Sequence, residues 1–271
     1  MTAALEARNL GRRFGRTWAL RECSLAVPAG AVAGLVGPNG AGKTTLLHLA
    51  VGLLRPSTGT IRVLGEPAGD RAGLLARIGF VAQDAPLYGE LTAAEHLTMG
   101  ARLNRGFDLP LARRRLLELG VPPDRRAGSL SGGQRAQVAL TLALGKRPAL
   151  LLLDEPVAGL DPLARRAFLE SLARGAAEQG LTVLLSSHVV ADLERVCDWL
   201  VVLSAARVQA LGPVGELLAR HRPPAAAARG TREATLEELV LAYLGQAGGA
   251  GPGIGSRDGG GPAGTAAEAG R

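Results

Sequence analysis

Apolar and polar positions alternate from Leu5 to Val32, with breaks at Gly11 and at Pro28-Ala29-Gly30. A period of two predicts short antiparallel strands, with those residues as turn signals. Ala33-Gly34-Leu35-Val36 loses the alternation and reads as a buried strand running into a glycine loop. Residues 44–54 follow as a helix that Arg55-Pro56 ends. Residues 61–64 and 78–81 predict further strands. From Asp84 to Ser129 strand signals fade, and helical periodicity takes over in residues 93–103 and 111–119. This stretch is expected to be a helical subdomain. Then come a helix over 134–144, a strand over 150–153, a helix over 162–179, a strand over 181–185, a helix over 189–197 and a strand over 199–203. Such alternation implies a largely parallel sheet, hence an α/β fold. Residues 221–230, with Pro223-Pro224 and four consecutive alanines, read as a linker. Residues 233–244 form a short amphipathic helix. Ten of the last 25 residues are glycine, so residues 247–271 are expected to be disordered.

Composition adds bounds. The 271 residues are 47% hydrophobic, ample for one large domain or a domain with a subdomain. The net charge of +7 and pI of about 10.5 raise the question of nucleic acid. All but two of the 31 basic side chains are arginine, they are scattered, and aromatics make up only 3%. Stacking platforms for bases are therefore scarce, and no nucleic-acid partner is expected. The arginine excess reads instead as a compositional habit, against which Lys43 and Lys146 stand out. Cys23 and Cys197 lack ligand spacing and are expected to be buried in a reducing compartment. Glu6 and Arg8 interrupt any signal peptide, and no apolar run approaches a membrane span. The expected location is cytoplasmic.

Two stretches carry anion chemistry. Gly37, Pro38, Asn39, Gly40, Ala41, Gly42, Lys43 and Thr44 fit G-x-x-x-x-G-K-[ST] between a strand and a helix, with Thr45 next. Backbone N–H groups there cradle phosphates, the lysine reaches the terminal ones, and the Thr44 hydroxyl binds Mg2+. Leu130-Ser131-Gly132-Gly133-Gln134 is a second loop, a serine and two glycines opening a helix whose free N–H groups attract an anion. Residues 150–153 are four leucines, delivering Asp154 and Glu155 at a strand end. Asp154 is placed for Mg2+, and Glu155 for general-base activation of water.

In this order, the motifs resemble the nucleotide-binding subunit of ATP-binding cassette (ABC) transporters over about residues 4–215. The resemblance implies a P-loop NTPase fold. A RecA-like parallel core would carry an N-terminal antiparallel β subdomain and a helical signature subdomain over about 84–145. The ATP-binding domain would span 1–220, with linker and helix over 221–246. It also implies further roles. Gln83 is the Q-loop residue that touches Mg2+ or the attacking water. Ala158-Gly159-Leu160-Asp161 is the D-loop at the dimer interface. His188 is the switch histidine on the γ-phosphate. Phe14 stands where the family has an adenine-stacking tyrosine, keeping the ring and losing the hydroxyl, with Trp18 nearby. Ser131, Gly132, Gly133 and Gln134 then complete a second subunit's ATP site in a head-to-tail dimer.

The implied activity is ATP hydrolysis that opens and closes that dimer and powers a separate membrane permease. Residues 83–88, 90–97 and 235–244 resemble the exporter branch. The alternative is a soluble ABC ATPase acting on nucleic acid or ribosomes. A single cassette without sustained heptads disfavours it.

Overall fold

The structure, a computed structural model, describes residues 2–69, 71–221 and 235–248. It opens with β1 (Ala3–Phe14) and β2 (Thr17–Pro28), then β3 (Val32–Val36) and α1 (Lys43–Ala50). Next come β4 (Thr58–Val63), β5 (Glu66–Pro67), α2 (Ala72–Ala76) and β6 (Ile78–Val81). Helices α3 (Ala93–Leu103), α4 (Leu109–Glu118) and α5 (Gly132–Gly145) follow. The chain continues with β7 (Leu150–Leu153), α6 (Pro162–Gln179), β8 (Thr182–Ser187), α7 (Val190–Glu194) and β9 (Trp199–Ser204). It closes with β10 (Arg207–Pro213), α8 (Val214–His221) and α9 (Leu236–Gly248).

The strands form two sheets. A four-stranded antiparallel sheet runs β2-β1-β4-β5, and a six-stranded one runs β10-β9-β3-β8-β7-β6. In the larger sheet β9, β3, β8, β7 and β6 are parallel, and β10 adds an antiparallel edge. Buried on both faces, β7 is four leucines and β8 is aliphatic from Val183 to Leu185, as a covered parallel sheet requires. One face packs with α1 against the antiparallel sheet through Leu10, Leu20, Leu47 and Leu152. The other face carries α5, α6 and α9 through Leu140, Phe168, Leu185 and Leu239. A third core holds α3, α4 and the start of α5 together through Leu97, Leu116, Leu130 and Val138.

Several expected elements shift. β1 and β2 are 12 residues each rather than short strands, with register irregularities along their pairing. Gly11 is no turn: it lies inside β1, where a Cβ would collide with Thr58 and Trp18. The helix expected over 44–54 ends at Ala50, because Gly52 turns the chain at φ 78°. α5 begins at Gly132, two residues before the apolar periodicity, because Ser131 and Gln134 form a reciprocal capping box. The helix expected over 189–197 shortens to α7. The helix at the C-terminal end, α9, starts behind a Thr235–Glu238 box and runs to Gly248, into the segment expected to be disordered. Residues 222–230 of the expected linker and 249–271 of the expected tail lie outside the described residues.

Cys23 is buried as expected and Cys197 only half-buried; burial raises both thiols, that of Cys197 to about 12. Among the described residues no helix is long and apolar enough to cross a membrane.

Candidate functional site

The C-terminal ends of neighbouring strands bring the site together, as open parallel sheets do. β3 delivers the glycine loop, β8 delivers His188, β7 delivers Asp154 and Glu155, and β6 leads to Gln83. Pairing of Leu35 with Ser186 and of Leu153 with Leu185 sets their level.

The glycine loop wraps the Lys43 ammonium, which donates to the carbonyls of Gly37 at 2.8 Å and Pro38 at 3.3 Å. Gly42 sits at φ 103°, and a Cβ there would strike the Ala19 carbonyl and the Leu20 side chain. Only glycine accommodates both constraints. A Cβ on Gly37 would collide with the Leu203 carbonyl of β9, which is how the loop stays against the sheet. Ala41 is buried beneath the loop.

Lys43 Nζ lies 3.1 Å from Glu155 Oε1, and Glu155 Oε2 lies 2.6 Å from His188 Nδ1. Burial pushes the Glu155 carboxyl up, but hydrogen bonds from His188 and Lys43 outweigh that and hold it below the usual glutamate range. The carboxylate therefore accepts, and His188 Nδ1–H donates. Glu155 adopts φ 46°, a left-handed conformation that side chains other than glycine enter at a cost, here at the centre of the site. Ser186 supports both acids: it accepts from the Glu155 N–H at 2.8 Å and donates to Asp154 Oδ1 at 2.8 Å.

A cleft of about 590 Å³ gathers ten of the expected residues: Phe14, Asn39, Gly40, Gly42, Lys43, Thr44, Thr45, Gln83, Glu155 and His188. Ala19 and Ala158 complete its lining. Phe14 is half exposed, with the Arg12 guanidinium over its ring at 4.7 Å. Trp18 lies against Gly11 and does not line the cleft. Asp154 is buried below the floor.

Ser131, Gly132, Gly133 and Gln134 are absent from the cleft wall. They open α5 elsewhere on the surface, with Ser131 and Gly132 exposed. Asp161 is not in the cleft either: its Oδ1 accepts from Leu163 N at 3.0 Å and Ala164 N at 2.9 Å and caps α6. These two motifs touch each other, since a Cβ on Gly133 would come within 2.9 Å of Ala164 Cβ and one on Gly132 within 3.5 Å of Leu160.

Comparison with known proteins gives this geometry a family. Residues 20–158 match the family model described as ABC transporter. The Nod factor export ATP-binding protein I of Burkholderia orbicola (strain AU 1054) is 38% identical over 218 residues, covering 78% of this chain and 71% of that protein. The chain is an ABC transporter ATP-binding subunit. The molybdenum import ATP-binding protein ModC of Aromatoleum aromaticum is also 38% identical, over 77% of this chain and 58% of that protein. A solved ATP-binding subunit of an ABC transporter superposes with a TM-score of 0.75 at 31% identity, over 89% of this chain and 99% of its own. The cbiO1 subunit from Clostridium perfringens, part of the complex cbiONQ, superposes at 0.71 with 28% identity, over 81% and 92%.

As an ABC ATP-binding subunit, the chain is an ATPase coupled to transport. One of these relatives is named for export and the other for import, so this motor serves both directions in the family. The donor chemistry of the cleft suits ATP with Mg2+. The Thr44 hydroxyl and the Asp154 carboxylate are hard oxygen donors, and only one Asp154 oxygen is engaged by Ser186. No three His, Cys, Asp or Glu cluster as a metal cage among the described residues. Motif reasoning missed Ser186. Its signal was a pair of hydroxyls, Ser186-Ser187, following the aliphatic run Val183-Leu184-Leu185.

Proposed function

We propose that this subunit closes head to tail with a second cassette around ATP, opens after hydrolysis, and powers export through a separate membrane permease. The contact chain Lys43–Glu155–His188 in the cleft carries the catalytic part of this reading. Lys43 and the loop N–H groups bind the phosphates. Mg2+, held by Thr44 and Asp154 with Gln83 nearby, supplies charge neutralisation at the phosphates when bound. Glu155 accepts a proton from the attacking water, and its depressed pKa keeps it ionised for that task. His188 hydrogen-bonds Glu155 and orients the water or the γ-phosphate. Phe14 offers its ring face to the base.

The dimer part rests on the loop that stays outside the cleft. Ser131-Gly132-Gly133 presents an anion-binding helix start outside its own subunit's cleft. It shares a surface with the Ala158–Asp161 segment, the other motif that a second subunit would meet. ATP held by both halves makes the closed state depend on nucleotide. The export direction rests on residues 83–88, 90–97 and 235–244, and on the export relative.

Glu155→Gln keeps the size and one hydrogen bond of the side chain but removes the base. ATPase assays should show turnover nearly abolished while nucleotide still binds. Turnover near that of the unsubstituted chain would remove Glu155 from catalysis.

A further inference from the structure

His188 sits in the connection between β8 and a short helix, α7. Helix α7 is only five residues long and has no side-chain cap at Val189. So short a helix has little stability of its own, so outside contacts help set its position, while the Ser187 hydroxyl, donating to the Val189 carbonyl at 3.1 Å and accepting from the Val189 N–H at 3.0 Å, braces the turn at His188. Two such contacts come from adjacent residues. Leu193 is buried against Gly34 of β3, where a Cβ would lie 3.0 Å from it. Asp192 pairs with Arg165 of α6, Oδ2 to Nη1 at 3.6 Å.

The Arg165–Asp192 pair has no ordinary structural partner set. Asp192 is buried and Arg165 mostly so, with side-chain exposures of 9% and 29%. Neither Asp192 Oδ2 nor Arg165 Nε has a hydrogen-bond partner among the described residues. Burial pushes the Asp192 carboxyl up against the opposing charges of Arg165, Arg195 and His188. Both residues line a small cavity of about 40 Å³ together with Glu155, Gly159 and His188. Neither lines the nucleotide cleft. Arg165 lies in the first turn of α6, which Asp161, the last residue of the Ala158–Asp161 segment, caps.

We propose that Arg165 and Asp192 are positioning residues: their ion pair ties the start of α6, and with it the Ala158–Asp161 segment, to the loop that places His188. The pair is engaged at ion-pair distance but not closed as a hydrogen bond, so a small movement of Ala158–Asp161 shifts His188 relative to Glu155. It acts on turnover and not on nucleotide affinity, because it stands behind His188 and outside the cleft. This inference rests on the assignment of His188 to the reaction proposed above.

The test uses the full chain in Asp192→Asn, Arg165→Gln, the charge swap Arg165→Asp/Asp192→Arg, and His188→Ala. ATPase rates, binding of a fluorescent ATP analogue and thermal melting are measured on each. Each single variant is expected to lower kcat about tenfold or more while affinity stays within about twofold. The swap is expected to recover most of that loss, a recovery that a residue needed only for folding does not give. Singles that keep kcat within about twofold overturn the proposal. So does a swap no better than the singles, or a fall in affinity that tracks the melting temperature. His188→Ala separates the two readings. If it abolishes turnover while Asp192→Asn does not, the positioning pair alone fails. If His188→Ala retains turnover, the assignment of His188 fails first and takes the pair with it.

Discussion

Lys43 is one of only two lysines in an arginine-rich chain, and the loop shows why arginine does not serve there. Its compact ammonium is enclosed by the Gly37 and Pro38 carbonyls and the Glu155 carboxylate, a space too tight for a planar fork. Lys43→Ala and Lys43→Arg should both lose ATP binding in a fluorescent-nucleotide titration, and unchanged affinity in either would sink the P-loop assignment. Gly42→Ala should destabilise the fold by about 1–3 kcal/mol in urea unfolding, through its φ of 103° and the collision at Ala19. At this scale most of the cleft was legible, because the spacing of Gly37, Lys43 and Thr44 carries its own chemistry. Asp154, Glu155 and His188 were legible through their order. Asp161 carries a further role that the motif does not announce: its carboxylate caps α6 within this subunit.

Element boundaries divide on a similar line. α3, β7 and α6 fall where periodicity and the aliphatic run put them, because each has strong internal signals. Strand β9 was expected, but the hairpin that carries it into β10 was not visible. Ala205 and Ala206 turn it with φ of 49° and 60°, a conformation usually announced by Asn-Gly. Helix ends were set by side-chain caps that apolar periodicity does not register. Ser131→Ala removes one of these, and urea unfolding should show a loss of about 1 kcal/mol. Nucleotide affinity of the single subunit should be unchanged, since Ser131 is not in the cleft. Asp108 caps α4 through Leu111 N and also pairs with Arg147 at 2.6 Å. The Leu111 N–H first, and Arg147 with it, hold its carboxyl below the usual aspartate value of 3.8. Its stabilising contribution is therefore complete above 3.8 and is lost as pH falls through the lower folded value. Asp108→Asn keeps a cap but not the charge. Its stability deficit, from unfolding curves at several pH values, should shrink on acidification; a deficit that persists in acid would contradict this.

The whole molecule separates its two anion-binding loops. One floors a cleft at the sheet's C-terminal edge, and the other opens α5 on the outside of the helical layer. The proposed dimer would join the two loops across ATP. The most direct measurement is the mass of Glu155→Gln in solution, by size-exclusion chromatography with light scattering, with ATP and Mg2+ and again with ADP. The account predicts a dimer with ATP, because the nucleotide is bound but not cleaved, and a monomer with ADP. A protein that binds ATP and stays monomeric would contradict it.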